Sequence, residues 1–237
     1  MTMKRLLSVA LSAALLAGVL TGCGGGNTTG SSASAGSGAS AETASGGDGT
    51  LRLAWAADIQ TMDVHKTTDN YMVPLNIFDR LFEIENDENG TPQLVNSLAA
   101  DYTVSEDGLT YDFTLQEGVT FSDGTPLTAN DVKYTFTRMI SLPESVQSSM
   151  GSMIAGAAEL QAGTAQELTG ITVTDDTHFT ITLTAPFAGF QYELATPACS
   201  IMSEANVTAA GDNFGLDPAQ TIGSGPYVVT SRSRDSG

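Results

Sequence analysis

His65 and His178 are the only histidines in the 237-residue chain, and they bound the chemistry it can perform. An activated nucleophile needs a base within hydrogen-bond reach. His178 follows Asp175-Asp176-Thr177, a turn-forming run, and reads as a solvated residue beside a hairpin. Asp63 and His65 stand two apart and could supply two metal donors, but a zinc site needs a third and usually a fourth. The pair reads instead as a fixture of its own loop. Gly223-Ser224-Gly225 lacks the glycine two places before the serine that a nucleophile elbow requires, so it reads as a turn. A hydrolase is left without a base and nucleophile pair. These residues call for binding rather than catalysis, with no metal and no cofactor.

The amino terminus carries a different chemistry. Lys4 and Arg5 precede an apolar run from Leu6 to Val19, closed by Leu20-Thr21-Gly22-Cys23. Positive, then apolar, then small residues is the order of a signal peptide, here residues 1–22. A membrane-spanning helix needs about 20 apolar residues, and this run is shorter and interrupted by Ser8 and Ser12. Leu20 to Cys23 resembles a lipobox, which implies diacylglyceryl transfer to the Cys23 thiol and cleavage ahead of it. The alternatives are secretory cleavage near Ala17 or Gly22 and a retained anchor. A two-chain lipid gives lasting membrane attachment where one short chain does not. Cys199, the other cysteine, then has no partner, and no disulfide framework exists. Residues 23–49 are mostly Gly, Ser, Ala and Thr with almost no large apolar side chain, too little burial to offset ordering. They read as a tether reaching roughly 25 to 30 Å.

Lys4 and Arg5 leave with the leader, so seven of nine basic residues remain against all 27 acidic ones, a formal charge of −20. Nucleic acid is excluded as a partner on that balance. The charge mildly favours neutral or cationic ligands.

Several elements must position the loop that holds Asp63 and His65. Leu51, Leu53 and Trp55 alternate with smaller or polar residues, the period of a strand. Met72, Leu75, Phe78, Leu81 and Phe82 recur at helical spacing, predicting a helix over 71–81 with Asp69 or Asn70 as its cap. From Phe82 to Phe121, short alternating runs are punctuated by Asn89-Gly90, Asp107-Gly108, Glu117-Gly118 and Asp123-Gly124, an antiparallel meander. Thr128 and Asp131 open a capped helix whose Val132, Phe136, Met139 and Ile140 share one face. A helix near 155–161, a hairpin of Ile171–Val173 with Phe179–Leu183, short helices over 187–194 and 203–210, and a strand over 227–230 complete the reading.

The order of these motifs carries a resemblance. Thr61-Met62-Asp63-Val64-His65, Glu106-Asp107-Gly108-Leu109-Thr110-Tyr111 and Phe121-Ser122-Asp123-Gly124-Thr125-Pro126-Leu127-Thr128-Ala129-Asn130-Asp131-Val132 come first. Asp175-Asp176, Phe179-Thr180-Ile181-Thr182-Leu183, Pro186 and Gly223-Ser224-Gly225-Pro226-Tyr227 follow. The chain resembles the oligopeptide, dipeptide and nickel binding family, family 5, of ABC importer substrate-binding proteins, over about Thr50 to Val229. Val64 stands where the family's first motif usually has proline.

The resemblance implies a mixed α/β fold of the type II periplasmic-binding-protein kind, in which two lobes close on a ligand. Residues 50–80 would start lobe I, 81–203 would be an inserted domain, and 204–237 would begin the return to lobe I, with the second lobe absent. It also implies that Thr68, Asp69, Asn70 and Tyr71 face the ligand, with Ser148 and Ser149 as a second wall. Asp69 would pair with a peptide's amino group; helix capping is the competing role for Asp69 and Asn70. The resemblance implies as partners a small solute of the peptide class and ABC permease subunits. The implied place is the outer face of the cytoplasmic membrane, with the lipid on Cys23 as anchor. A surface adhesion module is the rival reading.

Overall fold

The computed structural model describes residues 50–54 and 57–233. The leader, Cys23, the Gly/Ser-rich tether, Trp55 and residues 234–237 lie outside the described residues. Residues up to Leu53 form a unit separate from Ala54–Gly237. Residues 50–54 carry no strand, and Leu51 and Leu53 are 78% and 69% exposed. The strand expected there does not form in its described part: alternation becomes a strand only beside a neighbour that takes its main-chain hydrogen bonds.

In the larger unit a hairpin, β1 (Phe82–Asn86) with β2 (Pro92–Asn96), precedes a four-stranded antiparallel sheet. That sheet contains β3 (Ala99–Val104), β4 (Thr110–Leu115), β5 (Ile171–Val173) and β6 (His178–Thr182), in the spatial order β3-β4-β6-β5. Alternation sends Tyr111, Phe113 and Leu115 of β4 and Phe179 and Ile181 of β6 inward. Phe113 lies opposite Phe179 in register, and the two rings stack at 5.1 Å, a cross-strand aromatic pair.

The helix following the meander, Ala129–Ser141, buries Val132, Phe136, Met139 and Ile140 as its periodicity predicts. It packs against β5 and the short helix Ala157–Gln161. A capping box starts it. The Asp131 carboxylate accepts from the Thr128 N–H at 2.9 Å and from its hydroxyl at 3.0 Å.

The helix expected over 71–81 is only Pro74–Ile77. Continuing it would require the carbonyls of Asn76 and Ile77 to accept from residues 80 and 81. They accept instead from Tyr227 N–H at 3.1 Å and Gly225 N–H at 2.9 Å, so the Gly-Ser-Gly-Pro-Tyr segment ends the helix by taking its acceptors. A Cβ on Gly223 would meet the Ile77 carbonyl oxygen, and one on Gly225 would lie 2.7 Å from the Ile77 carbonyl carbon. The glycines allow that close approach. The segment is not the strand expected over 227–230: no ladder forms, and Tyr227 and Val228 remain 65% and 60% exposed.

Two cores result. The larger runs from Leu81 to Ile201 around the sheet and the long helix. The smaller gathers Ile59, Met62, Val64, Ile77, Phe78, Met202, Val207, Ala210 and Phe214, with the helix Glu204–Ala210 capped by Ser203, whose side chain accepts from Asn206 N–H.

Candidate ligand-binding loop

Residues 57–73 have almost no regular structure, so their conformation must come from specific bonds. At the base, Met62 N–H donates to the Gly215 carbonyl at 2.7 Å, as does the Thr61 hydroxyl at 3.2 Å. Gly215 has φ +78°, and a Cβ there would collide with the Asp63 nitrogen. Glycine is required on both counts.

Asp63 is fully buried and does two things. Its Oδ1 accepts from His65 N–H at 3.1 Å, turning the backbone. Its carboxylate also takes both ends of the Arg138 guanidinium, at 3.0 and 2.6 Å. Such a two-bond fork is geometrically specific. Arg138 comes from the last turn of the Ala129–Ser141 helix, touches the Met202 sulfur at 3.7 Å and lies 5.5 Å from the Phe214 ring centre.

His65 Nδ1 sits 2.8 Å from Arg138 Nη1. A guanidinium can only donate, so Nδ1 is the acceptor and the proton is assigned to Nε2. That nitrogen has the Ala198 carbonyl nearby but makes no hydrogen bond of ordinary geometry. Burial, and then the Arg138 charge, push the imidazole down to about 3, against the opposing pull of Asp63. His65 is thus neutral at neutral pH. Among the described residues no group of three or more His, Cys, Asp or Glu is placed to hold a metal. The Asp63–His65 pair does act on its own loop, through hydrogen bonds that the sequence could not name.

Above this base the chain bends outward. Thr68 and Asp69 are exposed, and Asn70 and Tyr71 are half-buried. Asn70 adopts φ +54°, and its amide donates to the Ala57 carbonyl at 2.9 Å. Neither Asp69 nor Asn70 caps a helix: the residue preceding Pro74–Ile77 is Val73, with no side-chain cap. The capping role is therefore corrected, because a left-handed residue at 70 and Pro74 delay the helix by three residues. The Tyr71 hydroxyl is committed inward, donating to the Thr67 carbonyl at 2.9 Å. Burial pushes its phenol up, opposed by a hydrogen bond from Gln147 and assisted by the Asp69 charge.

Ser148 and Ser149 lie in the segment after the long helix, half-buried and exposed respectively. Val146 N–H of that segment donates to the His65 carbonyl at 2.9 Å, bringing the segment against the base of the loop. Sequence reasoning missed Arg138 and Gln147. An arginine beside the apolar face of an amphipathic helix was a usable signal for the first; a glutamine in a serine-rich stretch offered none for the second.

A family model described as bacterial extracellular solute-binding proteins, family 5 middle, matches residues 93–237. The chain belongs to this family. Among the curated members, the family 5 chain is 33% identical over 186 residues to the probable D,D-dipeptide-binding periplasmic protein DdpA of Escherichia coli K12, covering 76% of this chain and 33% of that one. It is 28% identical to a dipeptide-binding protein of Lactococcus lactis, with the same coverage. Among solved structures it superposes on the substrate-binding domain of an oligopeptide ABC transporter from Bacillus anthracis with TM-score 0.67 at 26% identity, covering 72% of this chain and 33% of that one. Listeria monocytogenes OppA bound to peptide gives 0.64 at 25%, covering 73% and 34%. The fold is that of the type II periplasmic binding proteins. The chain spans about a third of the length of the curated relatives it matches.

Proposed function

We propose that this chain serves an extracytoplasmic solute-binding lipoprotein of an ABC importer, one that captures peptides and passes them to permease subunits without a catalytic step. The observation that carries the reading is the loop just described. Its backbone is tied down from beneath, while Thr68 and Asp69 stay exposed and Asp69's carboxylate engages no partner among the described residues. An exposed carboxylate on a held loop suits a peptide's ammonium group. Main-chain groups of Asn70 and Tyr71 and the hydroxyls of Ser148 and Ser149 would serve the rest of the ligand, in the manner of an added strand with tolerant side-chain pockets. The names of the relatives, which include dipeptide, glutathione and oligopeptide binders, support the ligand class. The lipid on Cys23 would keep the protein at the outer face of the cytoplasmic membrane.

Calorimetric titration with di- and tripeptides tests the ligand. Saturable binding is expected, weakened at least tenfold by Asp69→Ala and by amino-terminal acetylation of the peptide. An adhesion module would show no saturation with any peptide, and that result would refute the reading. Membrane retention of a Cys23→Ala variant equal to the parent's would refute the anchor alone.

A further inference from the structure

Gln147 stands out among the buried polar side chains because its amide is spent on the loop. It is 9% exposed, and its Nε2 donates to the Thr67 carbonyl at 2.7 Å and to the Tyr71 hydroxyl at 2.8 Å. A side-chain amide has two N–H donors, so one goes to each. The Tyr71 hydroxyl in turn donates to the Thr67 carbonyl at 2.9 Å, closing a triangle of three hydrogen bonds across the neck of residues 67–71. Gln147 is itself fixed: its N–H donates to the Ser145 hydroxyl at 3.2 Å, and its carbonyl accepts from Met150 N–H at 2.9 Å. With Val146 bonded to the His65 carbonyl, residues 145–150 form a strap along the loop's inner side.

We infer that Gln147 is the positioning residue of the ligand loop, locking Thr67 to Tyr71 so that the exposed Thr68–Asp69 tip and the neighbouring Ser148–Ser149 wall move as one piece. The assignment rests on the peptide-binding reading for its purpose, but its geometry is independent of it. The loop needs such a lock. Asn70 holds φ +54°, a conformation that asparagine tolerates better than most side-chain-bearing residues but that is still steadied when its neighbours are held in place. The lock also has a signature. The bond from Gln147 lowers the Tyr71 phenol's affinity for its proton, while burial and Asp69 raise it, so removing the donor must push that phenol further up.

Gln147→Met keeps the side chain's length and removes both donors. Three readouts follow on the full chain: amide exchange of residues 67–71, titration of Tyr71 by carbon-13 tyrosine NMR, and peptide affinity. Exchange at least tenfold faster, a higher Tyr71 titration midpoint and peptide binding at least threefold weaker are expected, with the midpoint of thermal unfolding nearly unchanged. Unchanged exchange and an unchanged Tyr71 midpoint would overturn the assignment. If the parent binds no peptide, the proposed function fails while exchange and titration still decide the role of Gln147. If Gln147→Met does not fold, Tyr71→Phe removes one corner of the triangle from a half-exposed side chain. Exchange at Thr67 to Asn70 must then rise, and parent-like exchange overturns the assignment.

Discussion

The sheet-centred region from Leu81 to Ile201 and the loop-centred region of residues 57–78 and 202–229 reach burial by different means. In the first, alternating strands and one amphipathic helix send side chains inward by geometry alone, and nearly every interior group is apolar. In the second, the regular elements are a four-residue and a seven-residue α-helix and two three-residue 3-10 turns, and Thr61, Asp63, His65, Thr67, Ser203 and Thr221 are buried beside the apolar residues. A regular region tolerates changes in surface chemistry and answers to volume. An irregular one depends on particular donors meeting particular acceptors, and so answers to charge and hydrogen bonding. That second sensitivity suits the recognition of a polar ligand proposed for this region.

Removing volume from the regular core should have the largest effect. Phe136 is 2% exposed on the inner face of the long helix, and Phe136→Ala should cost about 4 kcal/mol in urea unfolding. A parent-like midpoint would mean the helix does not pack on the sheet. In the loop core, the matching break is electrostatic. Arg138→Met leaves the Asp63 carboxylate buried without its fork and should cost about 3 kcal/mol, somewhat less than the apolar truncation because the Arg138 side chain is 10% exposed. Adding Asp63→Leu should recover part of the loss. If the double variant is worse than the single by a further full increment, the pair is not coupled.

This contrast also explains what could be read from the sequence. The hairpins, the helix from Thr128 and the inward set Tyr111, Phe113, Phe179 and Ile181 were legible because period two and period 3.6 are local properties of the chain. The end of the short helix at Ile77 was not, since it depends on Gly225 and Tyr227, some 150 residues away in sequence, taking the carbonyls of Ile77 and Asn76. The strand expected at residues 51–55, in its described part, and the one expected at 227–230 fail for a similar reason: alternation states a preference, and only a neighbour supplies the ladder. For the loop, Asp63 and His65 were recognisable as a local fixture, but their partner Arg138 lies 75 and 73 residues away. Nothing in spacing points to Gln147.

The loop core should also be the part that senses acid. His65 is fully buried with its pKa at about 3, against roughly 6.5 in an unfolded chain. Between those values the unfolded state binds the proton and the folded state does not, so stability is fully present above pH 6.5 and falls as the pH drops toward 3. For this group alone, the loss from pH 7 to pH 5 should be about 2 kcal/mol. Chemical denaturation at the two pH values, repeated with His65→Gln, checks it. The parent's extra slope should vanish in the variant, and equal slopes would show that the imidazole is accessible to protons in the folded state.

The smallest effect lies where the two regions meet. Asp131 belongs to the first turn of the sheet-packed helix, yet its carboxylate serves both sides. One oxygen accepts from the N–H and hydroxyl of Thr128, and the other accepts from Glu204 N–H at 3.2 Å, at the start of the helix in the loop core. Its charge also lies at the positive end of the helix dipole. The Thr128 hydroxyl donates to this carboxylate and, as the N-cap of the capping box, also faces the Asp131 amide as its acceptor. Asp131→Ala should therefore cost about 1 kcal/mol and Thr128→Ala about half as much. In the absence of Asp131 the threonine hydroxyl loses its carboxylate acceptor but keeps the backbone amide it faces, so adding Thr128→Ala to Asp131→Ala should cost less than Thr128→Ala does alone. A Thr128→Ala penalty larger than that of Asp131→Ala, additive in the double variant, would show that the hydroxyl caps the helix by itself and that the aspartate does not join the two cores.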